Sequence, residues 1–387
     1  MRVSDRMSNI SFIVTSYNIE SFIQKCLKSV SMVAQPGDQV ILIDDGSTDT
    51  TEIVARKFLK DTGFVDGVEV NFIFLGTNTF GGVGIGGNIG LIESSRETIF
   101  FVDGDDWLDA DPFLKARSYW ALHEIDIMFA NYKEYDQNNG TLKKPADTQR
   151  WHSLDQSAGL EHLRQVALSL IAVPWRKFYR REFLLKNRIF FPEGNFFFED
   201  NPFHWDVCLH ANSIGFFDKA IYYHRINRLG QTMTSTGAEL AAFFIHFDTI
   251  QEKIYEGRRD LQANLIRWLL QNMTWQIARL SEASLYPYFF QASKTLGKID
   301  SDIWEDKLAS TEIDGSTWAT ANRLRNGDIW GVIDQWKLNQ IETSIIESQK
   351  ITSDISKLAR KNKKILQGAN AALLFESITR LNSDGSQ

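Results

Sequence analysis

The sequence predicts an α/β protein with a mostly parallel sheet and flanking helices, followed by a helical C-terminal region. Short apolar runs recur with helical periodicity between them, the rhythm of βαβ units. Each run stops at polar or acidic residues, so one rim of the sheet collects groups that a ligand could use. From about residue 240 the apolar spacing becomes wholly helical. At 387 residues the chain can bury a sizeable core and suggests two or three domains.

The first run, Ile10–Thr15, reads as a buried strand ending in Ser16-Tyr17-Asn18. Phe22, Ile23, Cys26, Leu27 and Val30 then fall on one face of a helix. Val40–Ile43 is the second strand, ending in Asp44-Asp45-Gly46. Ser47 or Thr48 is placed to cap the helix that carries Ile53, Val54 and Phe58. Phe72–Leu75 is a third strand, separated from Ile99–Val102 by a glycine-rich turn and a short helix. Within that turn Gly82, Gly84 and Gly87 spell the G-x-G-x-x-G of dinucleotide-binding folds. The match sits in the third βα unit, several residues beyond its strand, where glycine is abundant. Backbone flexibility or close approach to a bound donor is the better reading.

Ile99-Phe100-Phe101-Val102 runs straight into Asp103-Gly104-Asp105-Asp106. Acids packed this closely raise one another's pKa unless a cation compensates. Mg²⁺ binds through one or two carboxylates plus substrate phosphates. The stretch therefore reads as a metal–phosphate site at a strand's carboxyl end; the plain alternative is a solvated acidic turn.

Asp111-Pro112 starts a helix to about Glu124, and Ile125–Ala130 is a further strand. Residues 136–150 read as a polar loop and a boundary, and residues 157–171 as a helix. Ile221–Tyr223 is a strand leading into His224-Arg225-Ile226-Asn227-Arg228. Residues 240–336 read as a helical bundle, with Leu261, Leu265, Trp268, Leu269, Asn272 and Trp275 at helical spacing. Beyond Trp336 the sparse aliphatics Leu338, Ile341, Ile345, Ile351, Ile355 and Leu358 form a narrow stripe. It fits either a homo-oligomer seam or packing within the chain. The basic cluster Lys357, Arg360, Lys361, Lys363 and Lys364 reads as a solvated helix face, with peripheral membrane association as the alternative. The last residues, LNSDGSQ, read as disordered. The expected division is 8–236, 237–336 and 337–387.

Charged residues at 24% and hydrophobic ones at 43% describe an ordinary globular protein. A net charge of −7 argues against a broad nucleic-acid face. Cys26 and Cys208 make no disulfide framework, which points to a reducing cytoplasm. Residues 1–9 carry no apolar signal core, and no run approaches the roughly 18 apolar residues of a membrane span. His123, His152, His162, His204, His210 and His246 lack metal-ligand spacing and read as structural or surface residues.

Taken together, Thr15-Ser16-Tyr17-Asn18, Ile43-Asp44-Asp45-Gly46-Ser47, Val102-Asp103-Gly104-Asp105-Asp106-Trp107, Trp175-Arg176-Lys177-Phe178-Tyr179, Glu199-Asp200 and Tyr223-His224-Arg225 resemble the family 2 glycosyltransferases. Their order and spacing match over roughly residues 10–230, most closely the bacterial surface-polysaccharide type. The resemblance implies the GT-A fold, with a donor half at 8–135 and an acceptor half at 136–236. It implies inverting transfer from a nucleotide-sugar, a UDP-sugar foremost, to a glycan or glycolipid acceptor, at the inner face of the membrane. It makes Asp45 a ligand of the base and Asp103-x-Asp105 the DxD, with Asp103 on the ribose and Asp105 on Mn²⁺ or Mg²⁺. Asp106 would orient that pair. Thr15, Tyr17, Asn18, Asn88, Gly104, Arg225 and Arg228 are expected at the donor, His224 at the metal and closing over the pyrophosphate with Arg225. Trp175 and Lys177 are expected at the acceptor. Asp200 is the implied general base, supported by Glu199. One departure stands out. The family commonly carries Arg or Lys before the asparagine of the glycine-rich segment, and here that position is Gly87. Arg96, Lys177, Arg225 or Arg228 would have to supply the cation.

The residue types suit the chemistry independently. Displacing a nucleoside diphosphate needs charge stabilisation on the leaving group and a carboxylate to take the acceptor's proton. Phe196-Phe197-Phe198 sets such a carboxylate beside apolar surface, where desolvation raises its pKa. Trp175 suits stacking on a sugar, or a place in the core. Two other classes stay open: a non-catalytic sugar-nucleotide or glycan-binding module, and an NAD(P)-dependent oxidoreductase.

Overall fold

The computed structural model describes residues 8–152, 154–228, 236–305 and 313–384. Met1–Arg325 form one compact unit and Asn326–Gln387 a second.

Strands β1 (Ile10–Ser16), β2 (Gln39–Asp44), β3 (Glu69–Phe74) and β4 (Thr98–Asp103) are parallel, in the order β3-β2-β1-β4. Helices α1 (Ile23–Val33), α2 (Thr51–Asp61) and α3 (Gly84–Glu93) lie in the connections. β1, β2 and β4 are buried almost throughout, so they read as unbroken apolar runs. β3 is the edge strand and half exposed. Its polar start is why the sequence placed it late, at Phe72–Leu75.

The chain continues through β5 (Trp107–Leu108), α4 (Ala110–Leu122), β6 (Ile127–Asp136), β7 (Leu142–Lys143), α5 (Thr148–His152) and α6 (Leu160–Ser169). Then come β8 (Lys177–Arg180), α7 (Arg181–Lys186), α8 (Asp200–His210) and β9 (Ile214–Ile226). The sheet extends as β4-β8-β6-β9-β5, with β8 antiparallel to both its neighbours and β7 paired to β6. β9 is far longer than the expected Ile221–Tyr223. It carries a register irregularity against β6, and Asp218 and Lys219 are exposed there, which breaks the apolar pattern.

The polar stretch 136–150 is tied into the structure. Lys143 Nζ meets Asp136 at 2.7 Å, and buried Asp147 accepts from Ile171 N at 2.9 Å and from Arg176 Nη1 at 2.5 Å. Phe12, Phe100, Phe113 and Phe178 form the core between sheet and α4, with Phe100 edge-on to Phe113 at 5.0 Å.

Helices α9 (Ala242–Gln251), α10 (Arg259–Ile277), α11 (Leu285–Leu296) and α12 (Ser301–Trp304), with a further helix at Gly315–Arg325, belong to the first compact unit. The second unit is dominated by one helix, Ile329–Asp384. That helix includes Leu381-Asn382-Ser383-Asp384, expected as disordered, while residues 385–387 lie outside the described residues. Leu338, Ile341, Ile345, Ile351, Ile355 and Leu358 are each more than half exposed along it.

Candidate active site

β1 stands between β2 and β4, so strand order reverses there. The crevice beyond such a switch point is where open α/β sheets bind ligands. A cavity of about 510 Å³ opens at this place. Thr15, Ser16 and Tyr17 line it from the end of β1, Asp45 from beyond β2, and Asp103, Gly104 and Asp105 from the end of β4. His224 and Arg228 line it from the end of β9 and just beyond.

Carboxylate oxygens of Asp103, Asp105 and Asp106 all lie within 4.8 Å of one another. Gly104 makes the turn feasible: its N–H donates to Thr15 O at 2.8 Å, and a Cβ there would stand 2.7 Å from the same oxygen. Asp106 is fully engaged, facing His224 Nδ1 at 2.9 Å and accepting from Arg225 N at 2.6 Å. Asp105 pairs with Arg228 Nε. The Asp103 carboxylate has no hydrogen-bond partner among the described residues. Burial pushes its pKa well above the usual range, and the charges of Asp106 and Asp105 push it further. Burial alone would lower His224, but the adjoining Asp106 carboxylate lifts it to about 9. His224 reaches the cluster through Asp106, and the close ligand set is the three carboxylates. Hard oxygen donors this close together suit Mg²⁺ or Mn²⁺.

Across the crevice, Asp45 accepts from Asn78 Nδ2 at 2.9 Å, Thr79 N at 2.9 Å and Thr79 Oγ1 at 3.0 Å. Asn78 itself lines the cavity. Reasoning from sequence missed this pair, although Thr77-Asn78-Thr79 are polar residues just past a strand end, the same signal that singles out Asp45.

Glu199 and Asp200 open α8. Glu199 is buried and its Oε1 accepts from Gly84 N at 2.7 Å, so it caps α3. A Cβ on Gly82 would stand 2.6 Å from that oxygen. The glycine spacing thus makes room for a carboxylate of this chain, as close approach requires. Asp200 accepts from Asn201 Nδ2 at 2.9 Å through Oδ1. Burial, then the Glu199 charge, raise its carboxyl to about 7, partly offset by Lys177. Neither Glu199 nor Asp200 lines the cavity, although Phe197, three residues before Asp200, does. Phe198, just before this pair, holds a left-handed φ of 68°, a strained conformation for a bulky residue.

Several expected contacts fall elsewhere. Asn18 spends Oδ1 on Thr48 N at 2.8 Å and does not line the crevice; it ties the β1 and β2 loops together. Asn88 is buried and grips the 191–193 segment through Phe191 N, Phe191 O and Glu193 at 2.8–2.9 Å, so it is not at the donor cavity. Arg225 is buried against Phe22 and Trp107, with Nε on Asp105 O at 2.8 Å. Trp175 is 1% exposed, stacked on Tyr222 at 4.4 Å, and cannot offer a face to a sugar. Lys177 is wholly buried with Nζ on Val173 O at 2.6 Å, so it cannot touch an acceptor directly. Arg96 pairs with Glu69 at 2.6 Å, away from the crevice. Of the four candidate replacements for the missing cation, Arg228 alone lines the cavity. Gly87 has its own reason: a Cβ there would stand 2.9 Å from the Phe191 ring, which is stacked on Phe203 at 4.0 Å.

The family profile described as Glycosyl transferase family 2 matches residues 11–190. Over these residues, a little under half of its length, the chain carries a family 2 glycosyltransferase domain. The chain is 25% identical over 219 residues to the uncharacterized glycosyltransferase EpsJ of Bacillus subtilis, covering 56% of this chain and 61% of that one. It is 28% identical over 235 residues to the poly(ribitol-phosphate) beta-N-acetylglucosaminyltransferase TarS of Staphylococcus aureus, covering 59% of this chain and 37% of TarS. The chain thus spans less than two thirds of the length of these two relatives. The crystal structure of TarS residues 1–349 in complex with UDP-GlcNAc superposes with a TM-score of 0.65 at 21% identity, over 86% of this chain and 92% of that one. The glycosyltransferase fold is therefore GT-A.

Proposed function

We propose that this chain is an inverting glycosyltransferase that moves a sugar from a UDP-sugar to a hydroxyl of a glycan or glycolipid acceptor in bacterial surface-polysaccharide synthesis. One observation carries the reading: a single crevice at the switch point gathers Asp45 on one side and Asp103, Asp105, His224 and Arg228 on the other. The GT-A domain would span residues 8–236, its donor half 8–135 and its acceptor half 136–236. Helices would fill 237–336, and the tail would begin at 337. That TarS was crystallised with UDP-GlcNAc and with UDP supports the choice of donor.

In this reading Asp45 and the β1-end residues Thr15 and Tyr17 receive the nucleoside, and Asp103 meets the ribose. Asp103 and Asp105 would hold Mn²⁺ or Mg²⁺, which when bound offsets charge on the departing diphosphate. Arg228 adds fixed positive charge there, and His224 stands beside it at the cluster. Asp200 Oδ1 is held by Asn201, leaving Oδ2 to accept the acceptor's proton. Glu199 keeps the segment in place by capping α3. Lys177 would partly offset the lift on Asp200, its own ammonium being lowered to about 7 by burial.

A released-nucleotide assay across UDP-, GDP- and TDP-sugars, with Mn²⁺ and with Mg²⁺, tests the reading. Metal-stimulated UDP release is the expected result. A chain that neither binds UDP nor turns over any UDP-sugar refutes it.

The tail belongs to the same proposal. Its exposed aliphatic stripe would join copies of the chain, and its basic cluster would favour a cytoplasmic position at the inner membrane face. Among the described residues no helix is long and apolar enough to cross a membrane.

A further inference from the structure

A second cavity, of about 720 Å³, is built where α6, α8 and α10 meet, and no step described above uses it. Sites of roughly 300–1,000 Å³ are the size that holds small ligands. Its wall from α10 carries Trp268, Gln271 and Trp275, which recur at one-turn and two-turn spacing on a single helix face. Trp268 and Trp275 are half-buried, so each keeps part of its ring uncovered. Trp205 and Asn201 of α8 complete the side nearest the glycosyltransferase sheet.

Arg150, Arg267 and Asp314 share the lining with the indoles and carboxamides, a mix of apolar faces and polar groups that suits a sugar. A pyranose ring offers an apolar C–H face and a rim of hydroxyls. Indole faces take the former. Asn201 spends Nδ2 on Phe198 O and Asp200 Oδ1 and keeps Oδ1 as an acceptor, while Gln271 Oε1 receives Arg150 Nη2 at 3.5 Å, so the polar rim is held in place by the protein.

Packing and hydrogen-bond contacts link the wall of this cavity to the segment that carries Asp200. Phe197 lines the donor crevice, Asn201 lines the second cavity, and Asp200 stands between them in the chain. Asn201 Nδ2 donates to Asp200 Oδ1 at 2.9 Å. His246 of α9 holds Phe197 O through Nε2 at 2.7 Å. Phe198 packs on Phe243 at 4.7 Å, and Phe243 packs on Trp268 at 5.7 Å and Trp275 at 6.0 Å. The aromatic wall and the strained turn before Asp200 are thus one contact network.

We propose that this second cavity is the acceptor subsite, binding an oligosaccharide segment with pyranose rings on Trp268 and Trp275 and a free hydroxyl directed at Asp200. The inference rests on the glycosyltransferase reading. In the transfer, the acceptor oxygen bonds to the anomeric carbon and its proton passes to Asp200. The nucleoside diphosphate leaves with the electron pair of the broken bond. Trp175 and Lys177, expected for this role, are buried; residues between 201 and 275 take it instead.

The test is saturation-transfer NMR on the full chain with cellotetraose, chitotetraose and maltotetraose, each in the presence of UDP, with UDP affinity measured by calorimetry on the same samples. At least one tetrasaccharide should show transfer to its ring protons. Trp275→Ala and Gln271→Ala should each weaken it by roughly tenfold, as expected for loss of one stacking or paired polar contact, with UDP affinity retained. Gln271→Ala carries the test if loss of Trp275 unfolds the packing on Phe243. The proposal is overturned if protein that binds UDP binds none of the three sugars, or if the sugar that binds is indifferent to both substitutions. Sugar binding lost in the variants from a chain that does not bind UDP would refute the donor reading while upholding the subsite.

Discussion

Replacing Asp200 by asparagine preserves the side chain's shape and the contact from Asn201 while removing the proton acceptor. General-base loss lowers kcat about 10²–10⁴-fold. The carboxyl is raised to about 7 by burial and by Glu199, so it is about one-tenth ionised at pH 6, half at pH 7 and nine-tenths at pH 8. The rate under subsaturating acceptor should therefore fall about tenfold per unit below pH 7 and level off above it. In Asp200→Asn this limb should vanish. Stability moves the opposite way. The folded carboxyl titrates above its unfolded value, so the proton favours the fold fully below about pH 4, and that contribution is lost as pH rises through 7. Asp200→Asn should thus melt increasingly above the parent between pH 4 and 7 and then hold a constant gain, at most about 4 kcal/mol. Released-nucleotide kinetics against pH, with UDP calorimetry and thermal melts, measure all three. Retained turnover in Asp200→Asn with Glu199→Gln inactive would move the base to Glu199. Collapse of UDP affinity in Asp200→Asn would make the residue a donor-side ligand and refute the assignment.

Chelation with excess EDTA should abolish turnover, and Asp105→Ala should do the same; full activity under chelation would exclude the metal-assisted reading. Asn88→Ala strands the Phe191 peptide groups and Glu193, and should cost about 2–3 kcal/mol in denaturant unfolding while the folded protein binds UDP normally. Gly87→Arg, which restores the family's usual cation, should destabilise by about 1–3 kcal/mol, because Phe191 is fixed against Phe203 and cannot make room. Tighter UDP binding with unchanged stability would show that the ring yields. Val332 and Ile333 are buried while the stripe from Leu338 onward is exposed, so deletion of residues 337–387 should lower the mass seen by light scattering and leave UDP affinity intact. An unchanged mass would rule out the seam.

The parallel half of the glycosyltransferase domain is legible in the sequence because its physics is local. A strand covered on both faces must be an unbroken apolar run, and its end must turn polar where the chain meets the crevice. β1, β2 and β4 meet both conditions, so the apolar-to-acidic junctions alone put Asp45 and Asp103 on the binding rim. The edge strand β3 and the irregular β9 are harder to bound, because half-exposed positions dilute the pattern at their ends.

The order of the elements, the polar rim and the identity of the acids on it follow from local pattern along the chain. Which polar side chains face the crevice was decided by tertiary structure alone. The family resemblance sends Trp175 and Lys177 to the acceptor, yet β8 lies between β4 and β6 and Trp175, Arg176 and Lys177 are all buried. Burial is tolerated there because Asp147 reaches Arg176 and Val173 O receives Lys177. Asn88 and Glu199 look like ligand-facing residues, but each holds the other's stretch of chain across more than a hundred residues of sequence. A buried polar group must find its partner somewhere. Local periodicity carries no record of partners so distant, so only the folded chain distinguishes a group kept for substrate from one spent on the protein itself.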